Sequence, residues 1–214
     1  MTKHQEHMVQ VAIALIRQYQ LLSNLSQKRG DVLSCFEASM PTQENGFQGV
    51  FDIYNYAFAL LDAVVRYHKM AHSLPGVSKK EVLYRRLDKA IDHFKGARNQ
   101  IQHLDNDVVN EFSGPLMGAV TWPNDVTNYS AVLNDVGRER KIGLLAFDTV
   151  EGKFVNGFCY VYNDKYYDLD AAVSAINTFH ADLMSRMVLK VGETDFDPLS
   201  NISVLHVSYR RKQI

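Results

Sequence analysis

The feature that most constrains this chain is an apolar run between residues 83 and 108. Leu83, Leu87, Ala90, Phe94, Ala97, Ile101, Leu104 and Val108 follow one another at spacings of 4-3-4-3-4-3-4. That rhythm keeps one narrow stripe on one side of a helix, so the helix must bury it against other helices. Ser78-Lys79-Lys80-Glu81 just before it has the S-x-x-E form of a capping box, in which two side chains satisfy free amides of a helix start. Together they predict a helix over 79–110.

Two earlier segments supply the partners. Over 4–28, Met8, Val11, Ala12, Leu15, Tyr19 and Leu22 recur three and four apart, and Gly30 is expected to stop the helix. A loop holding Pro41 and Asn45-Gly46 follows. Over 46–72 the stripe is Phe51, Tyr54, Phe58, Leu61 and Val65, continued by His68 and His72 and ended by Pro75-Gly76. Three long helices with short or moderate connections predict an antiparallel bundle over 1–112.

Beyond residue 113 the pattern changes. Segments 116–122, 141–148, 154–162 and 202–210 are rich in β-branched and aromatic residues between turn formers, and read as strands. Glu151-Gly152 suggests a hairpin, and 123–140 a loop or short helix. Over 168–189, Leu169, Ala172, Val173, Ile176, Phe179, Leu183 and Met187 line one side of a further helix, with Asp168 as its cap. The expected fold class is therefore mainly α (α+β). A helical bundle carries a small antiparallel sheet and an extra helix, with 113–214 as a mixed elaboration packed on it.

Composition narrows function. With 214 residues the chain makes one domain or one and a half, and its net charge is −1. Coating nucleic acid by charge alone needs clustered Lys and Arg, so the charge argues against that class, while RNA held in one local cleft stays open. Cys35 and Cys159 have no C-x-x-C or zinc spacing and read as reduced core thiols of a cytoplasmic protein. The first residues show no signal-peptide core, and no apolar run is long enough to cross a bilayer. No Walker A, G-x-G-x-x-G or G-x-S-x-G motif is present.

The segment "GARNQIQHLDND" at 96–107 is the most polar part of the third helix. Helical geometry puts Asn99, Gln102, His103 and Gly96 away from the apolar seam, with Asn99 and His103 stacked one turn apart and Arg98 and Asp105 flanking them. Periodicity alone reads this as the wet outer face of a bundle. Gly96 costs about 1 kcal/mol there relative to Ala, which suggests close approach of another backbone. Asp62 on the second helix either faces this cluster or pairs with Arg66 one turn on. His68 and His72 have H-x-x-x-H spacing but lack the glutamate of a zinc protease, and read as partly buried structural histidines. Trp122 reads as a core anchor. Tyr160, Tyr162, Tyr166 and Tyr167 read as cross-strand packing around an Asn-Asp-Lys turn. The terminal "YRRKQI" reads as a solvated basic tail.

Arg98-Asn99-Gln100-Ile101-Gln102-His103 resembles the R-x4-6-H motif of the HEPN superfamily, including a polar residue directly after the arginine. Its place towards the end of a long bundle helix is similar too, and the resemblance covers about residues 1–112. It implies a homodimer in which two motifs face one cleft. Many members are metal-independent endoribonucleases, often toxins or defence effectors working opposite an antitoxin or partner protein; others are inactive interaction modules. It implies His103 as general base or acid, Arg98 as the group that stabilises phosphoryl charge, and Asn99 as the group that orients one of them. Asp105, Gln102 and Asp62 would be supporting residues. RNA would be the substrate, with no metal or cofactor.

Overall fold

The long second segment becomes the axis of the molecule because it is apolar almost all round. The computed structural model describes residues 3–39, 43–75, 77–102, 117–123, 128–132, 147–148, 152–154, 156–162, 165–193 and 205–211. Its first helices are α1 (Lys3–Gln27), α2 (Arg29–Ser39) and α3 (Gln43–Ser73). In α3, Ile53, Tyr54, Ala57, Leu60, Leu61, Val64, Val65, Tyr67, His68 and Ala71 are all buried. Such a helix must be covered on several sides. It is: α1, α2, the helix Phe94–Gln102, the helix Leu169–Ser185 (α6) and the first strands all pack on it. Phe51, expected on the buried stripe, is 38% exposed.

α2 corrects the loop expected after Gly30. A turn at Lys28 separates it from α1, with the Val32 N–H donating to the Lys28 carbonyl at 3.1 Å. Gly30 sits in the first turn, where amides lack helical partners in any case. Asp31 adds a favourable negative charge at that end. Phe36 then packs its ring edge-on against Trp122 at 5.2 Å. Asn45-Gly46 likewise falls inside α3 rather than in a loop.

The single helix expected over 79–110 is broken. Its parts are α4 (Val82–Ile91) and α5 (Phe94–Gln102), separated by Asp92 and His93. His93 turns to stack on Tyr167 at 5.7 Å, and Phe94 meets the same ring at 5.5 Å. Leu87, Ile91, Phe94 and Ala97 are buried; Ala90 and Ile101 are only partly so. Ile91, which does not fit the 4-3 rhythm, thus takes the core place that rhythm gives to Ala90. Leu104 and Val108 lie outside the described residues. The capping box forms by half: the Ser78 N–H donates to Glu81 Oε1 at 3.3 Å, but Ser78 Oγ accepts from Lys80 N–H. It shapes a turn, and the helix starts one residue after Glu81.

The second half supplies a four-stranded antiparallel sheet in the order β2-β1-β5-β6. Its strands are β1 (Ala119–Pro123), β2 (Asn128–Val132), β5 (Cys159–Tyr162) and β6 (Lys165–Asp168). β2 lies in a segment expected as loop or short helix. Between them β3 (Phe147–Asp148) and β4 (Lys153–Phe154) pair around Gly152, whose φ is +65°. The strand expected over 154–162 is therefore two strands. Tyr160 faces Tyr167 across the β5–β6 hairpin, as cross-strand packing requires. Asp168 caps α6 by accepting the Ala171 N–H at 2.8 Å. α6 ends at Ser185, and β7 (Met187–Glu193) pairs with β8 (Leu205–Arg211).

Helices and sheet share one core. Tyr54 donates its hydroxyl to the carbonyls of Gly118 (2.7 Å) and Ala131 (3.2 Å), fixing α3 to β1 and β2. Trp122 is fully buried among Phe36, Tyr129 and Phe158. Cys159 is buried as expected; Cys35 is exposed, because it lies on the outer side of α2.

Candidate functional site

Arg98 leaves α5 beside α3, and its side chain is only 13% exposed. A guanidinium withdrawn this far from water needs a partner. Asp62 provides it: Arg98 Nε donates to Asp62 Oδ1 at 2.7 Å. The other oxygen of the same carboxylate accepts from Arg66 Nε at 2.5 Å. Asp62 therefore does both things considered for it, pairing one turn along α3 and facing the α5 cluster. Helix spacing makes this possible, since Asp62 and Arg66 share one face of α3.

That carboxylate lies on the wall of a cleft between α1 and α3 with a volume of about 630 Å³. Gln10, Ile13, Arg17 and Leu21 line one side, and Asp62, Arg66 and Met70 the other. Gln18 holds the floor together by donating to the Ala63 carbonyl at 3.1 Å. Ile13 and Leu21 are 42% and 49% exposed, large apolar side chains at the cleft mouth. Arg17, Arg66 and Arg98 against Asp62 leave the region net positive, although the chain as a whole is not.

The remaining expected site residues are distributed differently. Asn99 and Gln102 are exposed, on the solvent side of α5. Gly96 is exposed as well, and a Cβ built there would meet nothing within 4 Å, so no part of the described chain approaches it. His103 and Asp105 lie outside the described residues. The structure thus joins Arg98 to Asp62 and leaves Asn99 and Gln102 apart from that pair. Arg17 and Arg66 are additions; Arg66 entered the sequence reading only as an ion-pair partner, and Arg17 not at all, since a lone arginine on a helix carries no signal of its own.

A second polar constellation lies on the other side of α3. His68 is fully buried, and its Nε2 is 2.8 Å from Asp88 Oδ1 on α4. Burial pulls the His68 pKa down, with the hydrogen bond to Asp88 opposing it. Asp92 joins this pair, its donor oxygen within 4.8 Å of theirs. The Lys95 ammonium holds the Asp92 carboxyl below its ordinary value. His72, expected to be partly buried like His68, is exposed and lies between the Tyr84 hydroxyl (2.7 Å) and Lys79 Nζ (2.8 Å). The sequence signal for the acids was their spacing, one turn apart on α4. A third histidine, His180 of α6, stacks on Tyr19 at 3.6 Å and bonds the Tyr67 hydroxyl at 3.0 Å. Burial pushes its pKa down to about 4.

Among the described residues no helix is long and apolar enough to cross a membrane. No family model, curated protein or solved structure matches the chain, so the likeness to HEPN proteins rests on the sequence of residues 98–103, of which 98–102 lie on α5.

Proposed function

We propose that this chain is a HEPN-like homodimer that cleaves RNA without a metal, using Arg98 and His103 of two copies that face one dimer cleft. The observation that carries the reading is the Arg98–Asp62–Arg66 arrangement. A solvated outer face would leave Arg98 extended in water; here it is drawn in and oriented beside an electropositive cleft. Both guanidiniums meet Asp62 through Nε, and a guanidinium keeps further N–H donors that could serve a phosphate.

In the proposed reaction one His103 takes the proton of the RNA 2′-hydroxyl, whose oxygen attacks the adjacent phosphorus. The bond to the 5′-oxygen breaks, and that oxygen takes a proton from the second copy's histidine acting as acid. Products are a 2′,3′-cyclic phosphate and a 5′-hydroxyl. Arg98 stabilises charge on the phosphoryl oxygens. Asn99 would orient base or phosphate, and Asp105 and Gln102 would support it. A toxin or defence role, with an antitoxin or other partner controlling it, belongs to the same reading.

One observation favours a second reading. Asp62 already satisfies Arg98, as a purely structural pair would, and the exposed Ile13 and Leu21 suit protein contact. The same chain would then be an inactive HEPN-like interaction module. Product analysis separates the two. Active protein gives cyclic phosphate ends that fall about 100-fold in Arg98→Ala; an interaction module gives none from either protein.

A further inference from the structure

Asp88 and Asp92 occupy the last turn and the C-cap of α4. Carboxylates are unfavourable there, because a helix carries partial negative charge at its C-terminal end. They are also one turn apart, so they share a face and repel each other. A hydrogen bond to His68 accounts for Asp88 alone. It leaves unexplained why a second carboxylate converges on the same imidazole, with the three donor atoms all within 4.8 Å of one another. Lys95 offsets only Asp92, and from a side chain that is 43% exposed.

We propose that His68, Asp88 and Asp92 bind one divalent transition-metal ion that pins α4 to α3. One imidazole nitrogen with two carboxylate oxygens suits Zn²⁺, Mn²⁺ or Co²⁺. It supplies too few oxygens for Ca²⁺, and its nitrogen disfavours Mg²⁺. Donors on a tetrahedral ion with bonds of about 2.0–2.2 Å stand about 3.3 Å apart. His68 Nε2 and Asp88 Oδ1 are already at 2.8 Å, and Asp92, whose side chain is 61% exposed, has room to swing in. The His68 ring stacks on Tyr84 at 6.4 Å between centroids, which fixes its direction without a second hydrogen bond. Among the described residues its Nδ1 has no partner, so in the metal-bound tautomer the ring proton stays there without an acceptor from them. Metal-bound histidines usually donate that proton, and lacking the acceptor costs about 10- to 100-fold in affinity. The site is accordingly of moderate strength, with water completing the coordination.

The test uses the full chain, stripped with EDTA, exchanged into chelator-free buffer and titrated calorimetrically with ZnCl₂ and with MnCl₂. The same protein is titrated with CoCl₂ and followed by visible absorption. One saturable ion per chain is expected, with a melting temperature raised by about 5 °C near saturation. Asp92→Asn changes an exposed residue and keeps the fold; it should weaken binding at least about 10-fold, and Asp88→Asn should do the same. No saturable binding by the wild type, or equal binding by folded Asp92→Asn, would overturn the site. RNA cleavage is not read, so the outcome is independent of the ribonuclease proposal.

Discussion

Asp62 is the residue on which the cleft turns. Two guanidiniums share it, one of them nearly withdrawn from water, so Asp62→Asn removes charge without changing shape. Because Asp62 is itself 35% exposed, solvent screens the interaction. The expected loss is about 1 kcal/mol of unfolding free energy in urea titration, and unchanged stability would mean the pair is incidental. His180 gives a second prediction at this scale. Its folded pKa of about 4 lies below the unfolded value of about 6.5. The unfolded chain therefore binds the extra proton first, and the stability this residue contributes is present above pH 6.5 and lost as pH falls to 4. The shift corresponds to about 3 kcal/mol at its full extent. Unfolding free energies measured at pH 7.5 and pH 5 should differ less in His180→Gln than in wild type; equal slopes would show that His180 does not titrate as described. The sequence offered Asp62 either facing the Arg98 cluster or pairing with Arg66. It could not show that both hold, because a contact 36 positions apart depends on how α5 crosses α3.

At the scale of elements, periodicity located the helices and missed their ends. α3 was legible because it is long and apolar, and α6 because its stripe is regular and Asp168 caps it. The break between α4 and α5 was not legible. The 4-3 rhythm runs through it, and only Tyr167, far along the chain, explains why His93 turns aside. β2 was hidden for a similar reason: Asn128–Val132 is half polar, and its strand form depends on β1 beside it. Two glycines give opposite predictions. Gly96→Ala adds a methyl group in open space on a helix and should stabilise by about 0.5–1 kcal/mol. A loss of stability would contradict the open face. Gly118 has φ +69°, and a Cβ there would lie 2.5 Å from the Val161 carbonyl oxygen. Gly118→Ala should therefore destabilise by more than about 1 kcal/mol, read from the same urea titrations; a neutral result would show that β1 does not enter the sheet through this turn.

On the scale of the whole molecule, a nearly neutral chain lines one cleft with Arg17 and Arg66 and pairs Arg98 with the Asp62 of its wall, and the mixed second half braces the helix that carries Asp62 and Arg66. Tyr54 is the brace, bonding β1 and β2 from the middle of α3. The mainly helical fold with a small antiparallel sheet was readable from texture alone. The cleft was not, since it arises from α1 and α3 lying side by side. Two copies set with their 98–103 segments facing would double the positive charge and bring in both histidines, which is what the proposed chemistry requires. The decisive measurement is cleavage of a varied RNA set in EDTA by wild type and by His103→Ala, each shown folded by circular dichroism. Cyclic phosphate products are expected from the wild type, with at least about a 100-fold loss in the variant. No cleavage by the wild type, or equal cleavage by both, would contradict the proposed chemistry.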